Sequence, residues 1–529
     1  MFTNSILAFF IFSIANAYSV LVIQPGPSFS HQQPIMSLTE ALVAKGHHVF
    51  AVTPNEVQGL QSDNYTHVDL SFSYTMYAGG TGNKADKEAL NLQKPMTLWE
   101  FIEPFRQTTK IPPRQFKSEA FLKFQKKVKA ENLRFDVVIG QWCYIPFICG
   151  MTRYLSSSDR CPPIISFSTF SKDEFNEAAL GSLPHPSFIP LVTPFTDKMS
   201  LWQKIQNWAI SEIFFPKLRD IMEEAAEEFF RQNYGPGAGR LVAGCWSNVS
   251  LVINTGNFVT AYPRPLSPNV IEVGPMHIRA PEKLPQNLQE WLDGAKEGVI
   301  YFSLGSNMRS KSLPQEVLSN LLRVFRELPD GYRVLWKWEE DEQIPGQSEN
   351  ILTTKWSPQQ SVLAHPKVKV FMMQGGHQSF QEAVHYGVPT IGIPWFADQE
   401  ANVLRMETLG IGVLLKPQNL YCYKRIKSIV DRILHDDSFS KNAIRMSAIS
   451  REFTLQSISK AVFYVEHVAK YGGAEHLRPS TADINYFQYL CLDLITLILC
   501  VIFSLFYIIR QGFKLSVGKV FIRAKMKRF

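Results

Sequence analysis

From residue 298 onward, short apolar runs alternate with segments of helical composition. The apolar runs occupy residues 299–304, 332–336, 351–354, 368–373, 390–393 and 412–415. Each of them is followed by a loop and a stretch that is typical of a helix, such as residues 314–327. This alternation predicts a parallel α/β sheet, because parallel neighbours are joined by a crossover helix. We therefore expect a domain over residues 298–470.

The first half of the chain repeats this pattern less regularly. Its predicted strands are residues 19–24, 49–53, 137–139, 164–167 and 251–254. They indicate a second Rossmann-like domain over residues 18–275, followed by a proline-containing connector at 276–297. A chain of 529 residues also exceeds what one hydrophobic core usually fills.

The two ends of the chain have the composition of export and anchoring signals. Residues 1–17 contain an apolar run and end in Ala15-Asn16-Ala17, which is typical of a signal peptide and its cleavage site. After a linker at 471–488, the apolar residues 489–509 are long enough for one membrane-spanning helix. The tail at 510–529 carries seven lysines and arginines and no acid, which predicts that it is cytosolic. Those seven charges equal the net charge of +7, so no nucleic-acid-binding surface is expected.

Two further features concern the cellular compartment. Lys525 and Lys527 lie five and three residues from the C-terminus, which resembles a dilysine endoplasmic-reticulum retrieval signal. Asn64 and Asn248 begin glycosylation sequons. We therefore expect a single-pass type I protein of the endoplasmic reticulum membrane with its folded domains in the lumen. The cysteines do not form a dense scaffold, and the sequence leaves their pairing open.

A paired glycine follows the apolar run at residues 368–373. Gly375 and Gly376 precede a predicted helix at residues 377–386, and glycines there let a ligand approach the backbone. The free N–H groups of a helix start attract an anion such as a diphosphate. Gln378 and Ser379 add side-chain donors, and Glu382 lies one turn deeper on the same face, where it can accept ribose hydroxyls.

Two other loops should meet this helix at the carboxyl edge of the sheet. Trp356 precedes Ser357 and Pro358, which are interpreted as a helix cap and first helical residue, so the indole is placed to stack on a base or to pack in the core. Asp398 and Gln399 supply a carboxylate and an amide suited to sugar hydroxyls.

Together these residues closely resemble the signature of the membrane-bound UDP-glycosyltransferases, which include the UDP-glucuronosyltransferases. The motifs that carry the resemblance are Trp356 to Gln359, Gln374 to Gly376, Ser379, Glu382, Gly387 to Pro389, Pro394, Asp398 and Gln399. The resemblance extends over essentially the whole chain. It implies an α/β chain with the GT-B fold, in which two Rossmann-like domains face a cleft, and one C-terminal transmembrane helix.

The resemblance also implies a role for each donor-binding residue. Trp356 would stack on uracil, Gln359 would contact the nucleoside, and Glu382 would hold the ribose. The diphosphate would lie against Ser306, Gln374, Gly375, Gly376, Gln378 and Ser379. Asp398 and Gln399 would hold the sugar. UDP-sugar is then a co-substrate, with no cofactor and no metal, since the chain has no Asp-x-Asp sequence.

Gln374 stands where most family members have histidine, and this departure resembles arthropod members that use UDP-glucose. Glucose is therefore the favoured donor sugar, with glucuronic acid as the alternative.

The resemblance places the catalytic base at His31, after the first strand. We expect His31 to lie just before a helix that begins at Pro34, where the helix dipole keeps the imidazole neutral. The aligned position of its usual aspartate partner is Gln141, whose amide oxygen can still accept the imidazole N–H. Asp136, at the start of that strand, is a second candidate partner.

These residues predict inverting transfer of a hexose from a UDP-sugar to hydroxyl groups of small lipophilic acceptors, as in detoxification or conjugation of small molecules. The alternative is a weakly active or inactive homologue that acts as a binding or scaffold protein, since Gln374 and Gln141 both depart from the family pattern. A nicotinamide oxidoreductase is set aside because no glycine-rich fingerprint follows the first strand. Whether copies of the chain form a homo-oligomer stays open.

Overall fold

The structure is a computed structural model that describes residues 17–76, 96–156, 161–306 and 308–526. For residues 524–526 it describes the backbone only. Residues 1–16 of the predicted signal peptide lie outside the described residues. So do Lys527 and the side chain of Lys525, which form the predicted retrieval signal.

The first domain is built on a seven-stranded parallel sheet with the order β3-β2-β1-β4-β5-β6-β7. Its strands are β1 (Ser19–Ile23), β2 (His48–Thr53), β3 (Tyr65–Asp69), β4 (Val137–Gln141), β5 (Ile164–Ser168), β6 (Val249–Asn254) and β7 (Val270–Glu272). The sequence missed β3 and β7. Only Val68 of β3 is buried and β7 has three residues, so neither forms a long apolar run.

The second domain contains a six-stranded parallel sheet with the order β10-β9-β8-β11-β12-β13. Its strands are β8 (Gly298–Ser303), β9 (Tyr332–Lys337), β10 (Ile351–Thr354), β11 (Val368–Met373), β12 (Thr390–Gly392) and β13 (Gly412–Leu414). The predicted strands are confirmed with ends that agree to within one residue. Strands covered on both faces are almost continuously apolar, which makes them visible in the sequence.

Helices cover both faces of each sheet. In the first half they are α1 (Phe29–Ala44), α2 (Ile102–Thr108), α3 (Ile111–Phe116), α4 (Glu119–Ala130), α5 (Ile145–Leu155), α6 (Leu201–Ala209) and α7 (Phe215–Tyr234). In the second half they are α8 (Gln286–Asp293), α9 (Gln315–Arg326), α10 (Gln359–Leu363), α11 (His377–Tyr386), α12 (Gln399–Thr408), α13 (Tyr423–His435), α14 (Asp437–Thr454), α15 (Ser457–Tyr471), α16 (Tyr486–Tyr489) and α17 (Leu492–Met526).

Both sheets therefore reverse their strand order at an equivalent place. The order turns between β1 and β4 in the first sheet and between β8 and β11 in the second. Ligands of open α/β sheets bind in the crevice outside the carboxyl ends of the strands at such a point. The loops after these four strands line the site described below, together with the segments that follow β10 and β12.

The end of the second half crosses back to the first domain. Val462, Val465 and Val468 of α15 share a core with Val20 and Leu38 of the first domain. The sequence assigned residues 457–470 to the second domain, whereas in the structure they pack on the first. The helical pattern in the sequence predicts the apolar face of α15, but it does not predict which sheet packs against that face. In the predicted connector, Leu288 and Leu292 of α8 pack with the second sheet instead.

A disulfide joins Cys149 of α5 to Cys245, which lies just before β6. This pairing was left open by the sequence, because it depends on two segments 96 residues apart being brought together. Elsewhere in the described chain, five cysteines are free, among them the buried Cys143.

The predicted membrane anchor is a single long helix. Within Leu492–Arg523 of α17, a strongly apolar stretch of 18 residues has no residue packed inside the protein, so its length and composition suit a membrane span. The helix begins three residues later than predicted. The short helix α16 ends at Tyr489, and a positive φ of 54° at Cys491 separates the two helices.

Candidate active site

Two cavities meet in the cleft between the sheets. The polar pocket, of about 400 Å³, is lined by Ser306, Trp356, Gln359, Ser379 and Glu382. The aromatic cavity, of about 270 Å³, is lined by His31, Gln141, Asp398 and Gln399 together with many aromatic and aliphatic side chains. Four residues line both cavities: Ser30, Gln374, Gly376 and Gln378. A ligand that fills the polar pocket therefore reaches the aromatic cavity at this junction.

The turn before α11 depends on its glycines. Gly375 has a φ of +89°, and a Cβ there would lie 2.9 Å from the backbone oxygen of Gln399 and 2.6 Å from Val403. Gly376 caps α11 and leaves the first N–H groups of the helix without intrahelical acceptors. The predicted helix start after the paired glycines is thus formed, and its binding of an anion stays a prediction.

Glu382 lies at the deep end of the polar pocket and is almost fully buried. Its two carboxylate oxygens accept hydrogen bonds from Nε2 of Gln359 at 2.6 Å and from Nε2 of Gln360 at 3.2 Å. Nε2 of His277 lies 3.4 Å from Oε1 of Glu382. A carboxylate has about four acceptor sites, so two amide donors leave room for further hydroxyl donors.

Trp356 stands at the mouth of the polar pocket with 61 % of its surface exposed. Its ring meets the edge of Phe29 at 5.8 Å, and the ammonium group of Lys337 lies 5.7 Å from the ring centre. Core packing of this tryptophan is thereby excluded. The predicted cap was wrong: α10 begins at Gln359, and the Ser357 hydroxyl instead pairs with the Tyr301 hydroxyl at 2.9 Å.

Gln374 packs against a second glycine turn. Gly305 has a φ of +76°, and a Cβ there would lie 2.4 Å from Nε2 of Gln374. The Oε1 atom of Gln374 is buried and has no hydrogen-bond partner among the described residues. The amide therefore lies at the junction of the two cavities with unused hydrogen-bonding capacity.

Gln378 is tied to the opposite domain rather than left free in the pocket. Its Nε2 group donates to the carbonyl oxygen of Thr169 at 2.8 Å. Nδ1 of His377 lies 3.0 Å from the same carbonyl, and Gln381 donates to the carbonyl of Thr255 at 2.5 Å. The first turn of α11 thus holds the two domains together, a role that the sequence did not reveal.

Asp398 and Gln399 lie on the aromatic-cavity side of the junction. Burial raises the pKa of Asp398 to about 6, although Asn402 donates a hydrogen bond to its carboxylate at 2.7 Å. The Oε1 atom of Gln399 accepts from the backbone N–H groups of Trp395 and Phe396 at 2.9 and 3.2 Å, which fixes the loop.

His31 lines the same aromatic cavity as Asp398 and is half-buried. Its ring meets Phe170 edge to face at 5.3 Å, and burial lowers its pKa to about 4. The predicted helix start was wrong, because α1 begins at Phe29 and includes Pro34, so His31 belongs to the first helical turn. The imidazole is neutral near pH 7, as expected, but burial is the main cause.

Gln141 lines the same cavity, and its side chain is hydrogen-bonded to the backbone. Its Oε1 atom accepts the N–H of Gly26 at 2.7 Å, which fixes the loop between β1 and His31. Within the described chain, no hydrogen bond joins Gln141 to the His31 ring. Asp136 is not a substitute partner, because it accepts the N–H of Ser19 at the opposite end of β1. The predicted hydrogen bond from the His31 ring to Gln141 is thus not formed among the described residues, and a role of Gln141 in catalysis stays a prediction.

The comparisons with known proteins agree with this geometry. Residues 19–528 match the family described as UDP-glucoronosyl and UDP-glucosyl transferase. The chain belongs to this family. It is 29 % identical over 513 residues to the UDP-glycosyltransferase UGT5 of Dactylopius coccus, a match that covers 95 % of this chain and 93 % of that protein. It is 27 % identical over 518 residues to human UDP-glucuronosyltransferase 2B7, with 95 % and 94 % covered.

Solved structures of glycosyltransferases share the fold. A UDP-glucosyltransferase from Polygonum tinctorium that glucosylates indoxyl, solved with 3,4-dichloroaniline, has a TM-score of 0.56 at 16 % identity. The alignment covers 87 % of this chain and all of that one. Arabidopsis thaliana UGT89C1, solved with UDP-L-rhamnose, also has a TM-score of 0.56, at 15 % identity, with 86 % and 99 % covered. The predicted GT-B fold is thereby confirmed.

These comparisons support a glycosyltransferase enzyme and do not favour the scaffold alternative. In this transferase, the polar pocket also contains residues that were not identified from the sequence, among them Phe29, His277 and Lys337. Each belongs to a segment without a local ligand-binding motif. Lys337 is the last residue of β9 and donates to the carbonyl of Gly305 at 2.8 Å, so only the sheet order brings it to the site.

Other predicted sites of the transferase lie away from the cleft. Asn64 and Asn248, at the two sequons, are both partly exposed, and their glycosylation stays a prediction. Across the described residues, no group of three or more histidine, cysteine, aspartate or glutamate side chains is arranged to hold a metal ion.

Proposed function

We propose that this chain transfers a hexose from a UDP-sugar to a hydroxyl group of a small lipophilic acceptor, with inversion at the anomeric carbon. The observation that carries the proposal is the junction of the two cavities. The polar pocket, with its aromatic mouth and anion-binding helix start, opens at Gln374 and Gly376 into an aromatic cavity that contains His31.

The polar pocket suits the UDP moiety in one orientation. Uracil would stack on the exposed Trp356, and the ribose hydroxyls would donate to Glu382. The diphosphate would then lie against the N–H groups of the first turn of α11 and against Ser306 and Ser379. In this orientation the hexose reaches the junction and meets Asp398 and Gln399.

The acceptor hydroxyl would lie in the aromatic cavity beside His31. The neutral imidazole takes the hydroxyl proton as the acceptor oxygen forms its bond to the anomeric carbon from the face opposite UDP. The bond between that carbon and the β-phosphate oxygen breaks, and its electron pair leaves with UDP. The N-terminal end of α11 stabilises the negative charge that develops there, so this scheme contains no metal.

The charges around the site favour a neutral hexose over glucuronic acid. A glucuronate carboxylate needs a cation, and the lysines and arginines that line the two cavities are Lys172, Arg264, Arg279, Lys337 and Arg405. Each already has a partner in the described structure. Lys172 lies 2.6 Å from the carboxylate of Glu174, and Arg264 pairs with Glu272 at 2.6 Å. We therefore propose UDP-glucose as the preferred donor.

The donor and acceptor class can be tested with membranes that contain the full-length chain. Short phenols and alkanols are offered with UDP-glucose or UDP-glucuronic acid at equal concentration, and products are identified by mass. We expect glucosides of the phenols with the β configuration. Glucuronides in excess over glucosides would contradict the choice of donor, and no product with any acceptor would contradict the proposed activity.

We further propose that the domains lie in the lumen of the endoplasmic reticulum. The Cys149–Cys245 disulfide suits an oxidising compartment, and α17 suits the anchor. Replacing Lys525 and Lys527 together by alanine should release the protein to later secretory compartments, measured by acquired resistance of its glycans to endoglycosidase H. Replacing Lys514 and Lys519, which lie earlier in the tail, is the matched control. Retention of the Lys525/Lys527 variant would contradict the retrieval signal.

A further inference from the structure

Helix α6 faces solvent with its apolar side and the protein with a polar residue. Leu201, Trp202, Ile205 and Trp208 have exposed fractions of 76, 65, 48 and 53 %. At 3.6 residues per turn these positions share one face of the helix. Asn207, on the other side, is fully buried. This arrangement is the reverse of the usual amphipathic helix on a soluble domain.

The orientation of α6 is fixed by hydrogen bonds of Asn207. Its carbonyl oxygen accepts the N–H of Leu191 at 3.0 Å, and its amide donates to the carbonyl oxygens of Pro186 and Ile189, both at 2.8 Å. Rotating α6 to bury its apolar face would leave these groups unpaired inside the protein, at a cost of about 1–3 kcal/mol for each buried group. The exposed apolar face is therefore a stable feature of the fold.

The same region contacts the chain where it approaches the membrane anchor. The Thr481 hydroxyl donates to the carbonyl oxygen of Gly181 at 2.8 Å, and the Tyr486 hydroxyl donates to that of Pro184 at 3.5 Å. Glu212, in the helical turn that follows α6, contributes with burial to raising the pKa of Tyr486 to about 12. Since α17 begins at Leu492, α6 lies beside the point where the chain enters the bilayer.

The inner side of this region is a wall of the aromatic cavity. Ile189, which accepts a hydrogen bond from Asn207, and Leu191, which donates one to it, both line that cavity. Phe214, at the end of the turn after α6, lines it as well. One thin layer of chain thus separates the exposed apolar face from the proposed acceptor site.

We propose that the α6 face, made of Leu201, Trp202, Ile205, Trp208 and Ile213, rests in the lumenal leaflet of the bilayer that holds α17. This contact would deliver acceptors dissolved in the bilayer to the aromatic cavity. Exposed apolar patches of this kind mark interaction surfaces, and tryptophan favours the membrane interface. Because α6 lies beside the start of the membrane anchor α17, the bilayer is the surface that this face would contact. The docking itself is independent of catalysis, whereas the acceptor route rests on the proposed function.

Docking can be measured without any activity. The full-length protein is reconstituted in phosphatidylcholine vesicles with or without bromine on the acyl chains, which quenches nearby tryptophans. We expect clear quenching of the wild type and a loss of roughly half of the quenched emission in Trp202→Ser/Trp208→Ser, as interfacial tryptophans require. Trp291→Phe, in the second domain, is the matched control and should keep the quenched fraction. Equal quenching of the wild type and the double variant would overturn the proposal.

A second copy of the chain is the competing occupant of this face. If it covered α6, the wild type would resist quenching, and Trp202→Ser/Trp208→Ser would convert a detergent-solubilised dimer to a monomer. That result would also overturn membrane docking.

The acceptor route is tested with two phenols, one carrying a long alkyl chain and one short and water-soluble. Leu201→Gln/Ile205→Gln should raise the KM of the long phenol about fivefold or more, while the KM of the short phenol changes less than about twofold, because only the first partitions into the bilayer. Ile444→Gln/Leu455→Gln, two exposed positions of the second domain, is the control and should change neither. Equal changes for both phenols would contradict the route. A wild type inactive on both would contradict the proposed function, while quenching still decides the docking.

Discussion

The two sheets reverse their strand order at the same place, but the sites at these two places are built differently. At the second sheet, residues 356–382 supply a large share of the polar pocket, and Gln359 donates hydrogen bonds to both Ser379 and Glu382. At the first sheet, the cavity wall combines separate segments that range from Gly26 to Arg264. Recognition of a constant ligand can be encoded in one stretch of sequence. A cavity for variable apolar acceptors is assembled from many segments that carry no common motif.

The largest effect should come from the first sheet, where one side chain carries the proposed chemistry. His31→Ala removes the base that takes the acceptor proton, so kcat should fall about 10²- to 10⁴-fold. UDP affinity, measured by calorimetry, should stay nearly unchanged because His31 does not line the polar pocket. Activity within a few-fold of the wild type would exclude His31 as the base.

The next effect concerns a residue of the second domain that reaches the aromatic cavity. Asp398→Asn should lower kcat/KM about 10- to 100-fold, since hydrogen bonds to a charged group are worth about 1.5–3 kcal/mol. UDP affinity should change little. A loss of UDP binding equal to the loss of activity would place Asp398 against the nucleotide instead.

The pH dependence of kcat/KM distinguishes the contribution of Asp398 in the second domain from that of His31 in the first. Asp398, with a pKa raised to about 6 by burial, accepts hydrogen bonds from the sugar most strongly when ionised, so kcat/KM should fall as the pH drops through about 6. His31, with a pKa lowered to about 4, stays neutral over that range. The acid limb should disappear in Asp398→Asn. It should persist in Asp173→Asn, which changes a buried carboxyl whose pKa burial also raises to about 6.

A smaller effect is expected at the mouth of the polar pocket. Trp356→Ala should raise the KM of the UDP-sugar about 5- to 100-fold, because stacking of a base on an aromatic side chain is worth about 1–3 kcal/mol. Trp356→Phe should recover most of this loss, and the KM of the acceptor should not follow either change. An unchanged donor KM in Trp356→Ala would exclude uracil stacking there.

The smallest effect should be on stability. Gln141→Ala leaves the buried N–H of Gly26 unpaired, which should lower the free energy of unfolding by about 1–3 kcal/mol in a denaturant titration. Gln141→Glu keeps an acceptor oxygen at the same reach and should be closer to the wild type. If Gln141→Ala instead abolishes transfer without loss of stability, Gln141 acts on His31 or on the acceptor directly.

The fold class and the strands of the second sheet could be predicted from the sequence alone, as could several residues that line the polar pocket. Those strands are visible because both faces are covered and the residues are apolar throughout. The turn at Gly375 can be predicted because no side chain fits there. The residues that follow it have a composition typical of a helix. Steric and hydrophobic requirements of this kind depend on residues that are adjacent in the sequence, so they can be predicted from it.

Other features depend on contacts between distant segments and became known from the three-dimensional structure. It assigned Gln141 to the backbone of Gly26 and Gln378 to Thr169, paired Cys149 with Cys245, and packed α15 on the first sheet. It also turned the apolar face of α6 outward, although its periodicity alone predicts burial. The physical reason is that a side chain's role follows from its hydrogen-bond partners and from what covers it, and these partners lie tens to hundreds of residues away along the chain.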